Sequence, residues 1–213
     1  MALDTYTNLQ TAIANELARS DLTSYIPDFI TLAEAEFNSD LNHRLMDQRA
    51  TATVNTAATE PQYISLPGDF NMMRWLRLNG VSGKPTLEYM TVKQIDEYTT
   101  FIGDATGQPE FYTIFGDEMQ LAPSPDSAYT LEILYRKNIP ALASNSTNWL
   151  LTAFPNLYLY GALKHSAPFM KDDERLPLWQ GLYDRAIASI NQQNIGAAFN
   201  GSPVTIRVAT PTP

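Results

Sequence analysis

The chain has no cysteine, only two histidines, and fewer basic residues than acidic ones, 14 against 23. Without cysteine there is no disulfide framework, no thiolate metal ligand and no thiol nucleophile. The deficit of Lys and Arg leaves a net charge of −9 and no basic cluster to neutralise phosphates, which argues against tight nucleic-acid binding. No apolar run approaches the roughly 20 residues needed to span a bilayer. The start, MALDTYTNLQTAIANELARSD, lacks the basic-then-apolar layout of a signal peptide, so a cytoplasmic site of synthesis and assembly is expected. Also missing are a glycine-rich phosphate loop, a GxSxG elbow and an HExxH pair.

What is present is apolar surface in helical register. With 44% hydrophobic residues in 213, the chain suits one moderate domain or a domain carrying an insertion. In its last third, Leu150, Phe154, Leu157 and Gly161 mark one helix face, while Leu151, Tyr158, Leu159 and Ala162 mark much of the other. A helix apolar on both sides is buried on both sides, by its own fold or by a neighbouring copy. Pro168 is expected to close this helix, and Asp172-Asp173-Glu174 to open the next at its dipole-positive end. That last helix carries Trp179, Leu182, Tyr183, Ala186 and Ile190 in a broad stripe.

At the other end, Tyr6, Leu9, Ile13 and Leu17 repeat at helical spacing up to Ser20-Asp21. Pro27 suits a first helical turn, and Phe29, Ala33, Phe37 and Leu41 carry a second helix with Glu34 and Glu36 off its apolar face. The two read as an αα-hairpin. Between the helical ends the pattern turns β-prone. Strands are expected around 51–55, 62–66, 70–79 and 87–90, with a capping box at Thr91-Val92-Lys93-Gln94 opening a short helix. Gly116-Asp117 signals a hairpin between 111–115 and 119–122, and Tyr129, Leu131, Ile133 and Tyr135 alternate as a strand.

The fold expected is α+β. A helical bundle is drawn from residues 1–49 and 139–195, an inserted small β domain from 50–138, and an extended C-terminal tail from 196–213. No residue set is read as catalytic, cofactor-binding or metal-binding. His43 and His165 sit near expected helix ends, the Asp172–Glu174 run is explained by the helix dipole, and Asp117-Glu118 occupies a turn.

Two stretches carry a resemblance. Residues 1–54, from MALDTYTNLQ to RATATV, look like the opening of tailed-phage head-to-tail adaptor (connector) proteins. Residues 107–187 are similar to that family's second half, above all in the Phe111–Pro123 hairpin followed by the Asn148–Ala162 helix. None of these is a catalytic motif. The resemblance implies a virion structural protein at the head-tail junction, a homo-oligomeric ring commonly of twelve copies docked on the portal protein. It further implies a channel for genomic DNA, without specific binding, and a surface for the tail tube or nozzle protein. No enzyme activity, cofactor or membrane is implied.

Aromatic residues suited to subunit interfaces are Trp149, Phe154, Tyr158, Trp179 and Tyr183. In the tail, Val204, Ile206 and Val208 alternate, with Arg207 among them, as in a strand that docks on the portal or a neighbour. Two other readings compete. A tail-tube or nozzle protein would carry more β structure. A cell-wall hydrolase would need two carboxylates facing across a cleft, which Glu34 and Glu36, two apart on a helix, do not provide.

Overall fold

The computed structural model describes residues 3–19, 21–54, 56–103, 105–170 and 174–199. The chain is α+β and divides into two compact units. One is built from the residues before Met46 together with those after Asn138, the other from Met46–Asn138.

In the helical unit, α1 (Tyr6–Leu17) is capped by the Thr5 side chain, which accepts from the Asn8 amide, and ends where Ala18 turns left-handed at φ 52°. It therefore stops before the polar Ser20-Asp21 stretch, of which Ser20 lies outside the described residues. A single 3-10 turn, Thr23–Tyr25, leads into α2 (Ile26–Asp40), with Pro27 in the first turn as expected. The apolar stripe Phe29, Ile30, Ala33 and Phe37 is fully covered. Its principal partner is not α1, however. It packs against α5 (Pro155–Met170), which in turn packs against α6 (Leu176–Phe199), so the hairpin reading of α1 and α2 gives way to an α2–α5–α6 layer.

The long apolar helix expected from Trp149 onward is two helices. Helix α4 (Trp149–Ala153) ends at Phe154, which has φ −138° and ψ 61°, and α5 restarts at Pro155. A residue before proline is pushed out of the helical region, while proline itself is welcome in a first turn. Pro168, expected to terminate the helix, lies inside α5 close to its end. There it forgoes one main-chain hydrogen bond in the last turns of the helix. Asp172 and Asp173 lie outside the described residues, and α6 begins only at Leu176.

The β unit is two facing sheets. Strands β1 (Asp47–Thr53), β9 (Thr130–Lys137) and β3 (Phe70–Asn79) form one, in the antiparallel order β1-β9-β3. Strands β2 (Tyr63–Ser65), β7 (Glu118–Ala122), β6 (Phe111–Phe115) and β4 (Glu88–Tyr89) form the other, in the order β2-β7-β6-β4. A two-stranded parallel pair joins β5 (Thr106–Gly107) to β8 (Ser124–Pro125). Helix α3 (Val92–Ile102) starts in the expected capping box, Thr91 with Gln94, and packs on β6. The period-2 rule then sorts the central strand: Leu131, Ile133 and Tyr135 enter the core with Leu76, Leu78, Tyr112, Met119 and Leu121. Glu132, Leu134 and Arg136 alternate with them and point to the opposite face.

Candidate interaction surfaces

Each unit carries a buried polar assembly that holds its frame. In the helical unit Glu34, expected off the apolar face of α2, is only 6% exposed. Its carboxylate accepts from the Leu142 amide at 2.8 Å and from the Tyr158 hydroxyl at 3.1 Å. Asn148 completes the chain, donating to the Tyr158 oxygen at 2.6 Å and to the Pro140 carbonyl at 2.8 Å, while its own carbonyl caps α4 at the Leu151 amide. Burial raises the Glu34 pKa, and the two donated hydrogen bonds work against that rise. Desolvation, first of all, also raises that of Tyr158. The network ties α2, α5 and the loop from residue 139 to 148 together.

A second group centres on Glu36, two residues further along α2. Glu36 pairs with Lys164, and with His165 Nε2 at 3.0 Å. The Lys164 ammonium sits 4.0 Å over the Tyr183 ring, and the Tyr183 hydroxyl donates to Asp40 at 3.1 Å. His43 stacks on Trp149 with ring centroids 5.4 Å apart, and burial lowers its pKa, which favours the neutral ring. The end of α2 is also held from α6: Asn191 accepts from the Asn42 amide and Asn194 from the Arg44 amide, both at 2.9 Å. These are scaffold contacts. Among the described residues no three His, Cys, Asp or Glu side chains gather in a way that could hold a metal ion, and no helix is long and apolar enough to cross a membrane.

In the β unit Glu132, 2% exposed, sits between two guanidiniums. Arg77 Nε lies 3.0 Å from one carboxylate oxygen and Arg49 pairs with the other. The pairing follows from register, since Glu132 stands opposite Thr51 on β1 and Arg77 on β3. Hydrogen bonds from Arg77 and then Arg49 hold its pKa down at about 2. Arg77 also lies over the Trp75 ring, 4.5 Å from its centroid.

The aromatic residues singled out for interfaces fall into two groups. Tyr158, Trp179 and Tyr183 are buried within the subunit, whereas Trp149 and Phe154 are partly covered. Trp149 Nε1 is shielded from solvent and makes no hydrogen bond. Val204, Ile206, Arg207 and Val208 lie outside the described residues. Large apolar side chains that do face outward are ones the sequence pattern did not single out. On the helical unit they include Tyr25, Leu32, Leu178 at 61% and Phe169 at 53% exposure. Phe169 is stacked on edge against Phe29 at 4.9 Å and lies 5.8 Å from Tyr25, so the buried aromatic layer opens to the surface there. On the β unit Phe101 is 88% exposed, and Tyr89 and Val92 are more than half exposed. Spacing alone did not separate these from core positions.

A cavity of about 210 Å³ opens beside β1 and β2. Ala50, Thr51 and Ala52 of β1 line it together with Ile64, Leu66, Met119, Leu131 and Ile133. Small side chains on β1 leave it unfilled.

No curated protein matches the chain. The family model described as SU10 adaptor protein matches residues 4–207, nearly the whole sequence. The chain belongs to the SU10 adaptor protein family, in agreement with the phage head-to-tail adaptor resemblance that its sequence carries.

Proposed function

We propose that the protein is the structural head-to-tail adaptor of a tailed phage, a ring of twelve copies docked on the portal that continues the DNA channel and presents an attachment surface to the tail. The observation that carries this reading is the exposed aromatic and aliphatic set on the helical unit, Tyr25, Leu32, Phe169 and Leu178. Exposed large apolar side chains that continue a buried layer mark a protein–protein contact. A head-to-tail contact between such a surface and a different face of the next copy closes a ring when the rotation permits. Trp149 and Phe154, partly accessible, are candidates to join that contact. Tyr158, Trp179 and Tyr183 serve it by fixing α2, α5 and α6 beneath the surface.

The β unit then offers Tyr89, Val92 and Phe101 to the tail tube or nozzle protein. The C-terminal segment, with Val204, Ile206, Arg207 and Val208, docks on the portal or on a neighbouring copy. An acidic chain, net −9, favours a lumen that lets DNA slide without gripping it. The mass of the purified protein, alone and after mixing with its portal, tests the reading. A ring-sized species, or assembly at fixed stoichiometry on the portal, is expected. A persistent monomer that ignores the portal overturns it.

A further inference from the structure

Arginines scattered through the sequence gather on one face of the β unit, and the same unit carries an acidic turn of matching character. We infer that the outer face of the β1-β9-β3 sheet receives the β6–β7 hairpin turn of a neighbouring copy. The inference rests on the reading of the protein as a ring of copies and names one contact within it.

The receiving face follows from strand register. Leu131, Ile133 and Tyr135 of β9 enter the core, so Glu132, Leu134 and Arg136 face outward. Opposite them stand Asp47 and Arg49 on β1, and Met72, Trp75 and Arg77 on β3. Arg74, beside the bulge in β3, reaches Asp47 at 3.2 Å. All four arginines of the β unit therefore lie on this face, accompanied by two carboxylates, Asp47 and Glu132.

Depth separates the charges further. The Glu132 side chain is 2% exposed, whereas that of Arg49 is 60% and that of Arg77 33% exposed. The carboxylate forms a floor and the guanidiniums a rim, so an approaching group meets positive charge. One arginine satisfies Glu132 as an ion pair; the second adds charge beyond what the pair requires. Trp75, partly buried beneath Arg77, and Met72, 49% exposed, add apolar area between the arginines. Arginine and tryptophan are among the residues that dominate protein–protein contacts.

Such a face calls for an acidic occupant, and this chain supplies one. Strands β6 and β7 join through Gly116-Asp117, so Asp117 and Glu118 stand exposed at the tip beside Phe115. The Phe115 ring is itself 37% exposed and is propped by Tyr63, with centroids 5.9 Å apart. Among the described residues neither Asp117 nor Glu118 is in an ion pair. Carboxylates beside a ring match guanidiniums beside an indole, by charge and by stacking of arginine on the aromatic face. The hairpin belongs to the other sheet, so donor and receiver are different surfaces of one unit. A contact of that kind between copies is head-to-tail and builds rings. Duplex DNA suits the face less well, because Asp47 and Glu132 lie among the arginines and the chain carries a net −9.

The test uses two full-length variants. Arg49→Gln weakens the receiving face and keeps the hairpin, while Asp117→Asn with Glu118→Gln strips the hairpin charge and keeps the face. Sedimentation velocity compares each alone with their equimolar mixture. The mixture is expected to form a one-to-one dimer about tenfold or more tighter than the self-association of either variant, and added salt is expected to weaken it. Melting temperatures matching the parent show that both are folded. Met72→Asp replaces Arg49→Gln if the latter melts lower, since Met72 lies on the same face outside the Glu132 pair.

A mixture no tighter than its components overturns the inference. Glu88→Gln with Glu110→Gln, an equal change of charge at exposed positions elsewhere on the unit, should leave the parent's association as it was. A loss there as large as at the hairpin overturns the hairpin as occupant. Retention of a short DNA duplex by the parent but not by Arg49→Gln, with no dimer in the mixture, assigns the face to phosphate and overturns it too. Assembly of the parent on its portal is measured alongside. A normal ring without the mixed dimer defeats this inference alone, and the mixed dimer without any ring defeats the adaptor reading alone.

Discussion

Gly161 on α5 faces Phe37 on α2 so closely that a methyl group at 161 would stand 2.9 Å from Phe37 Cζ and 3.1 Å from Ala33 Cβ. Phe37 has no room to yield, since it is fully buried with its ring edge-on to Tyr158 at 5.0 Å. The contact between α2 and α5 is therefore set by the absence of a side chain.

Gly161→Ala should destabilise the helical unit even though alanine is the better helix former. Overpacking of this kind costs about 1–3 kcal/mol, against a propensity gain of about 1 kcal/mol or less. Denaturant melts should show a net loss of about 1–2 kcal/mol. A variant as stable as the parent would mean that α2 and α5 can separate at no cost.

Tyr158→Phe removes the hydroxyl that joins Asn148 to Glu34, leaving a buried carboxylate and a buried amide each short of a partner. Unmade hydrogen bonds in such places cost about 1–3 kcal/mol. Thermal or denaturant unfolding should show a loss in that range, with the fold retained. The change is nearly isosteric, so an unaltered midpoint would show that the network contributes nothing.

The Glu132 pair predicts a dependence on acid with a definite sign. Its folded pKa is about 2 against an ordinary 4.5, so its stabilising contribution is complete above the ordinary value and is lost as the pH falls toward 2. Glu132→Gln should lower stability at neutral pH and flatten the dependence between about pH 4.5 and 2. Glu34, shifted the other way by burial, is common to both proteins and cancels in the comparison. Parallel stability–pH curves for the two would refute the assignment.

Leu32→Asp combined with Leu178→Asp alters two exposed side chains. Surface changes of this kind shift folding stability by about 0.5 kcal/mol or less. Far-ultraviolet circular dichroism and the melting temperature should match the parent, while light scattering should show association on the portal abolished. Unchanged association would move the subunit contact elsewhere.

Much of the fold was legible because the β unit obeys local rules. The strand over 70–79, the Gly116-Asp117 hairpin and the Thr91–Gln94 capping box each depend on a few adjacent residues, and each appears at the expected place. The helical unit was harder for reasons that are tertiary. The rule for residues before proline applied at Phe154, but the apolar spacing running through Pro155 masked it. Glu34 was expected off the apolar face because nothing in α2 reveals Leu142 and Tyr158 waiting over a hundred residues away. Trp149, Phe154, Tyr158, Trp179 and Tyr183 were singled out as interface anchors, yet aromatic periodicity does not tell a subunit's own core from a face offered to a neighbour. The cavity beside β1 was hidden for a related reason: two alanines in a strand show low volume only once Ile64, Leu131 and Ile133 are seen around them.

The amides of Asn42 and Arg44, where the chain leaves the helical unit, are held by Asn191 and Asn194, and the amide of Ile139, where it returns, is held by Asn38 at 2.8 Å. Asn191 also donates to the Asp40 carbonyl. Exit and re-entry are thus fastened at the same end of α2. The consequence is modular: the ninety-odd residues between are a cassette whose two ends are fastened within the helical unit by α2 and α6. A short Gly/Ser bridge from Arg44 to Ile139 should leave a helical remainder that still melts cooperatively, and loss of that transition would count against this modularity. Swapping the cassette would retarget what the protein meets while leaving the helical frame intact.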